Sequence, residues 1–262
     1  MEIIEHIIQQ PVKRIHKTPL LFLHGAWHGA WCWQRWMDYF VLLGYEVHAI
    51  SLPAHGRSSC NKRHINFYTF NDYVDTLITQ VEIISPKPVV IGHSLGGGIL
   101  QKYLENHQLP GAILLASTPS VGMLASIVRL LRNYPISILK GILRLNLYEW
   151  VKTPKLAHDL FLNSKTTINT VAFHKQLGGE TVNMFYILFR FAKINQNLSP
   201  VLVIAGEKDI IFTLEEEAIT ATKYDAKTVV INGQAHNLML ESAWQEVADV
   251  VDNWITRELK LE

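Results

Sequence analysis

Two cysteines, Cys32 and Cys60, are all that this chain of 262 residues contains. They are too few for a disulfide framework, and nothing else points to an oxidising compartment. Charge of one sign is missing too: Lys and Arg number 24 against 23 Asp and Glu, a formal net charge of +1. That balance leaves no electrostatic case for nucleic acid or an acidic polymer as partner. No apolar run reaches the ~18 to 20 residues of a membrane helix, so stable membrane insertion is not expected. Met1-Glu2-Ile3-Ile4-Glu5-His6 lacks the basic and then long apolar pattern of a signal peptide, and a cytoplasmic protein is the expectation. Repeats and low-complexity tracts are also absent.

What is present is enough apolar residue, 48% of the chain, to fill one large core. Short β-branched-rich runs at Leu20–Leu23, Glu46–Ile50, Val89–Ile91, Ala112–Leu115, Val201–Ala205 and Thr228–Ile231 read as strands. Glu2–Ile8 and Val12–Ile15 read as an N-terminal hairpin. Helix-period segments at Trp31–Leu43, Phe70–Ile84, Gly97–Asn106, Leu214–Thr222 and Ser242–Leu259 alternate with the strands. This rhythm predicts an α/β fold, a doubly wound and mostly parallel sheet with its site at the carboxyl ends of the strands. One interval of about 85 residues, punctuated by Pro119, Pro135, Pro154 and Gly178-Gly179, is helix-like and has no parallel strand. It is long for a loop, and predicts a core of residues 1–116 and 200–262 with a helical cap inserted at 117–199, before the strand leading to the catalytic acid.

Ser94 lies in Gly92-His93-Ser94-Leu95-Gly96, between a strand and a helix. That arrangement presents a hydroxyl on a sharp strained turn, and its glycines let strand and helix converge. A serine needs an imidazole to take its proton, and the imidazole needs an acid to hold its tautomer. Asp209 follows one predicted strand and His236 another, so the order is nucleophile, acid, base. Glu207 and Asp225 remain rival acids. The oxyanion that forms requires two backbone N–H donors. Leu95, after the nucleophile, supplies one; Ala26 in His24-Gly25-Ala26-Trp27 supplies the other, with His24 bracing that loop. Gly25, Trp27, His93, Phe185 and Phe189 are the candidate pocket residues. His48, His64, His107, His158 and His174 have no strand-end context and carry no role.

Leu23-His24-Gly25-Ala26-Trp27-His28-Gly29-Ala30-Trp31, Leu52-Pro53-Ala54-His55-Gly56-Arg57-Ser58, Gly92-His93-Ser94-Leu95-Gly96-Gly97, Gly206-Glu207-Lys208-Asp209 and Gly233-Gln234-Ala235-His236 resemble the successive motifs of the α/β-hydrolase superfamily. The resemblance covers nearly all the chain outside the insert and implies a cofactor-free serine esterase. His24 to Trp31 is similar to the methylesterase and hydroxynitrile lyase branch and to lysophospholipase-like hydrolases. The lyases carry threonine at the position of Gly25 and lysine after the catalytic histidine, where this chain has Asn237. Ester hydrolysis is therefore the expected reaction, with a lactonase, a C–C bond hydrolase, a lyase or a non-catalytic receptor as alternatives. Dehalogenases and epoxide hydrolases of this fold have aspartate at the position of Ser94.

Other signals point to no cofactor or metal. His24 and His28 flank a glycine loop, and no His-Glu-x-x-His occurs. Gly96-Gly97-Gly98 lacks the dinucleotide and P-loop partners. Trp31, Trp33 and Trp36 read as packing of a helix on the sheet. The insert interleaves Arg129, Arg132, Lys140, Arg144, Lys152 and Lys155 with Ile127, Leu130, Leu131, Ile138, Leu139, Ile142 and Leu143. It reads as an amphipathic pair over the pocket, or as a face for anionic lipid or fatty-acyl groups. The expected partner is a small-molecule ester with an apolar, lipid-like portion; Phe185, Tyr186, Phe189 and Phe191 read as its acyl pocket or as cap core.

Overall fold

A computed structural model of the chain describes residues 3–62, 64–184 and 199–261. Seven strands form one sheet: β1 (His6–Gln9), β2 (Leu20–Leu23), β3 (Val47–Ile50), β4 (Val89–His93), β5 (Ala112–Leu115), β6 (Val201–Gly206) and β7 (Lys227–Ile231). Their spatial order is β1-β3-β2-β4-β5-β6-β7. All neighbours are parallel except β1 and β3. Every residue of β2 through β6 is buried, as short apolar runs covered on both faces require.

Alternation along each strand divides the core into two layers. Leu20 and Phe22 turn to the layer holding Trp33, Trp36 and Phe40 of the 3₁₀ turn Ala30–Trp33 and helix α1 (Gln34–Leu42), with Val247 and Val251 of α9 (Trp244–Asn253). Leu21 and Leu23 turn to the layer holding Tyr73 and Leu77 of α2 (Phe70–Glu82) and Ile99 of α3 (Leu95–Tyr103). Phe22 stacks on Trp33 with centroids 5.1 Å apart and meets Trp36 edge-on, so these two tryptophans join helix to sheet. Half-buried Trp31 turns instead to His28 and to Phe173 of the insert. Between β5 and β6 lie α4 (Leu124–Asn133), α5 (Pro135–Leu143), α6 (Pro154–Phe161) and α7 (Thr170–His174); α8 (Leu214–Lys223) joins β6 to β7.

The expected N-terminal hairpin does not form. β1 pairs antiparallel with β3, placing His6 opposite Ile50. The open edge of β3 offers a strand that is already ordered, whereas an isolated two-stranded hairpin is marginal in water. Residues near Ile15 instead donate to the turn at Gly44, Ile15 N–H to its carbonyl at 3.0 Å. The predicted helix Ser242–Leu259 is likewise two pieces, α9 and a π-helical end at Trp254–Leu259.

The register positions the site. Leu23 lies beside Gly92 and Leu115 beside Ile204, so the loops after β2, β4, β6 and β7 all leave one edge of the sheet. The chain steps from β2 outward to β3 in one direction and from β4 to β7 in the other. The divergence between β2 and β4 is where open α/β sheets leave a crevice. Among the described residues, no helix is long and apolar enough to cross a membrane.

Candidate active site

Ser94 opens α3 from the end of β4 with φ +52° and ψ −117°, a left-handed geometry that a residue with a side chain holds only under constraint. Its N–H donates to Leu115 carbonyl at 3.1 Å, and its carbonyl accepts from Thr118 N–H at 3.0 Å. The glycines around it serve close approach. A Cβ on Gly92 would lie 2.6 Å from Gly96 carbonyl oxygen, and one on Gly96 would lie 2.6 Å from the carbonyls of Leu23 and His24. Strand, turn and helix meet here with no room for a methyl group.

His236 and Asp209 meet. His236 Nδ1 donates to Asp209 Oδ2 at 2.7 Å, and both side chains are buried. The other aspartate oxygen, Oδ1, accepts from Ile211 N–H at 2.7 Å and Phe212 N–H at 3.1 Å. The carboxylate is thus aimed by its own loop. Glu207, the nearer rival in sequence, turns away to accept from Gly233 N–H at 2.8 Å and from Lys208, and these donors, the amide first, hold its carboxyl below the usual range. Asp225 sits in the exposed turn before β7, at the opposite end of the sheet. His236 Nε2 is buried with no hydrogen-bond partner, so it makes no bond to Ser94 Oγ here. Catalytic hydrogen bonds are often open in the unliganded state and tighten around substrate.

Buried histidines tie these loops together. His24 Nδ1 donates to Gly25 carbonyl at 2.7 Å while its Nε2 accepts from Leu52 N–H at 2.9 Å, the expected brace. His93 Nε2 donates to His236 carbonyl at 3.0 Å, linking the end of β4 to the loop after β7. His28 Nδ1 donates to Ala26 carbonyl at 2.7 Å, and its Nε2 accepts from Asn237 Nδ2 at 3.1 Å. Burial is the first cause that drives all three imidazoles toward the neutral form, His24 and His93 well below the ordinary value and His28 to about 4. These bonds engage both ring nitrogens of His24 and of His28, so the two rings do not form a pair of metal ligands. No group of three or more His, Cys, Asp or Glu among the described residues could hold a metal ion.

A second buried pair lies below the loop after β2. His55 Nδ1 donates to Pro53 carbonyl at 2.9 Å and its Nε2 to Glu180 Oε2 at 3.1 Å, with both side chains fully buried. Tyr73 hydroxyl donates to Glu180 Oε1 at 3.2 Å. Burial lowers the imidazole's pKa, but the charge and hydrogen bond of Glu180 outweigh it and leave His55 above its ordinary value. On α8, Glu217 is also buried; desolvation, then the nearby charge of Asp209, push its carboxyl well above the usual range.

Ser94, Ala26, Trp27 and Leu95 share one apolar cavity with Met123, Leu130, Trp150, Leu160, Phe161, Met184, Ile211 and Phe212. Its volume is about 20 Å³, room for roughly one water. Trp27 adopts φ +62° and is held by Nε1 donating to Leu147 carbonyl at 3.2 Å. Neither the Ala26 nor the Leu95 amide donates to another described residue. Gly25 and His93 are not walls of the cavity. His93 is fully buried beneath it, and a Cβ on Gly25 would lie 2.8 Å from Ser94 Cβ and 2.9 Å from His93 Nδ1. Phe185 and Phe189, with Tyr186 and Phe191, lie outside the described residues. Larger grooves of about 260 to 510 Å³ elsewhere on the surface include none of Ser94, Ala26 or Leu95.

The model of the Alpha/beta hydrolase family matches residues 20–250. The chain belongs to this family. Among curated relatives, norfluorocurarine synthase 1 of Strychnos nux-vomica is 38% identical over 101 residues, 37% of each chain. Methylesterase 10 of Arabidopsis thaliana is 30% identical over 129 residues, 42% of this chain and 45% of the relative. The chain therefore matches less than half the length of these two relatives. An esterase from Exiguobacterium antarcticum superposes with TM-score 0.69 at 16% identity, covering 96% of this chain and 95% of that one. A membrane phospholipase A superposes with TM-score 0.73 at 16% identity, covering 99% and 87%. At such identity the likeness is one of fold.

Proposed function

We propose that this protein is a serine hydrolase of carboxylic esters with an apolar portion, with Ser94, His236 and Asp209 as its triad. The observation that carries the reading is the 2.7 Å bond from His236 Nδ1 to an aspartate held by two amides, at the sheet edge where Ser94 occupies a strained turn. That bond leaves Nε2 as the acceptor for the serine proton. Ser94 Oγ attacks the ester carbonyl as His236 takes its proton, and the Ala26 and Leu95 amides receive the oxyanion. One such donor is worth ~10² to 10³ in rate. The tetrahedral intermediate collapses, His236 passes the proton to the leaving alcohol, and water activated by the same imidazole releases the acid and restores Ser94. Esterase names among the relatives and structural neighbours support the reaction class. The carbons lining the cavity support an apolar acyl or alcohol portion. Residues 117–199 then serve as the cap, and its walls must part, because small-molecule sites span roughly 300 Å³ or more.

A lyase reading has less support. Asn237, at the position where the lyases carry lysine, is buried and spent on His28, and a side chain at Gly25 would meet Ser94 and His93. Labelling with a fluorophosphonate probe tests the nucleophile. The native chain should be labelled and Ser94→Ala should not; undiminished labelling would place the reactive hydroxyl elsewhere.

A further inference from the structure

The outer face of α4 and α5 leaves hydrocarbon in water. Seven of the seventeen large hydrophobic residues exposed among the described residues fall within 124–145: Leu124, Val128, Ile136, Leu139, Ile142, Leu143 and Leu145. Leu143, at 81% exposed, and Ile136, at 68%, project from the surface. Leu124 and Val128 are one helical turn apart on α4, and Ile136, Leu139, Lys140 and Leu143 follow the spacing of a single face on α5. The two helices are consecutive, joined through Tyr134, and in contact with each other.

Its charge is of one sign. From residue 124 to residue 148 there is no Asp or Glu, and the cations are Arg129, Arg132, Lys140 and Arg144. Arg129 is spent inward, donating to the carbonyls of Ile210 and Ile211 and pairing with Glu216 at 2.8 Å. Arg132, Lys140 and Arg144 are exposed, and of these only Arg144 has an ion-pair partner among the described residues, Glu149. We infer that this face docks on the surface of an anionic phospholipid bilayer, the apolar side chains entering the headgroup boundary and the cations meeting lipid phosphates. Protruding hydrocarbon flanked by cations suits an interface that is apolar at depth and negative at the surface. A second copy of the chain suits it poorly, since a two-fold contact would set these cations against their own equivalents.

One of these helices, α4, walls the Ser94 cavity from within through Leu130, with Met123 just before it. Docking would set a cavity lined by carbon beside a reservoir of lipid esters, which assigns the proposed esterase a membrane-derived substrate class. Binding does not depend on the chemistry at Ser94, and the Ser94→Ala protein separates the two.

The test is flotation of the full chain carrying Ser94→Ala with vesicles of phosphatidylcholine alone, and with vesicles of phosphatidylcholine and phosphatidylglycerol in equal parts. Binding to the anionic vesicles should exceed binding to the neutral ones at least about tenfold and weaken with added salt. Arg132→Glu with Lys140→Glu, and separately Leu139→Ser with Leu143→Ser, should each lower it by about tenfold or more, with thermal midpoints unchanged as proof of folding. Absent binding, equal binding to both vesicles, or indifference to both double substitutions would overturn the inference. So would light scattering that shows a dimer converted to monomer by the leucine substitutions, which would make a second copy the occupant.

Discussion

The carboxyl edge of the sheet and the outer face of α4–α5 are built on opposite terms. At the edge, polar groups that sequence alone would place in water are buried and mostly spoken for: His24 bonds across to Leu52, His28 to Asn237, His55 to Glu180 and His93 to His236. On the outer face, side chains that sequence alone would bury stand in solvent. The first arrangement raises the cost of any displacement, because a buried polar group that loses its partner keeps its desolvation penalty. The second costs nothing further if the surface rearranges. A site held by directed bonds for the proposed chemistry thus adjoins the face proposed to dock on lipid.

The sharpest way to break this comparison is to disturb the edge at its most directed bond. Asp209→Asn should lower kcat on a p-nitrophenyl ester by about 10⁴-fold, the scale reached when the imidazole tautomer is no longer held. Glu207→Gln, on an exposed turn, should change it by less than about threefold. If the glutamine proved the more damaging substitution, the acid assignment would be wrong. Glu180→Ala comes next. It strands the buried His55 and the Tyr73 hydroxyl, and should cost about 3 to 5 kcal/mol in denaturant unfolding. A cost below about 1 kcal/mol would mean that the pair is not the tie between core and insert that its burial indicates.

Proton linkage offers a milder probe of the same edge. His24, His28 and His93 have folded pKa values below the ~6.5 of an unfolded histidine. Their contribution is present above about pH 6.5 and is lost as pH falls, for His28 until about 4. His28 alone accounts for roughly 3 kcal/mol over that window. His55 has the opposite sign: its folded value is raised, so its contribution is full below ~6.5 and lost as pH rises through that folded value. Unfolding free energy should therefore fall on both sides of neutrality. Replacing His28 with Gln should flatten only the acid limb, and a stability curve rising steadily from pH 7 to 4 would contradict the buried neutral rings.

Much of this edge was legible in sequence because apolar β-branched runs mark the strands, and Ser94, Asp209 and His236 each fall just past one. The ties among the loops were not. Glu180 stands between Gly179 and Thr181 with nothing local to announce that it meets a histidine 125 residues away. Glu217 belongs to Leu214-Glu215-Glu216-Glu217, an acidic first turn in sequence, yet it is buried, and desolvation first, then the charge of Asp209, push its carboxyl well above the usual range. His93 reads as a pocket residue because it adjoins the nucleophile, but alternation along β4 points it beneath the site. Partners distant in sequence and burial that depends on packing leave no periodic trace. For the same reason the edge strand β1 could be read, but its pairing with β3 could not.

The smallest expected effect separates the two faces of one helix pair. Leu130, 3% exposed and a wall of the Ser94 cavity, and Leu143, 81% exposed, are the same residue type thirteen positions apart. Leu130→Ala removes buried methyl groups next to an existing cavity and enlarges it, and should cost about 2 to 5 kcal/mol. Leu143→Ala removes hydrocarbon already in water, and should leave unfolding free energy within about 0.5 kcal/mol. Equilibrium denaturation of both variants in one buffer measures the contrast. A cost at Leu143 approaching that at Leu130 would mean that the outer face is already covered in solution, and that its leucines serve folding and not an encounter.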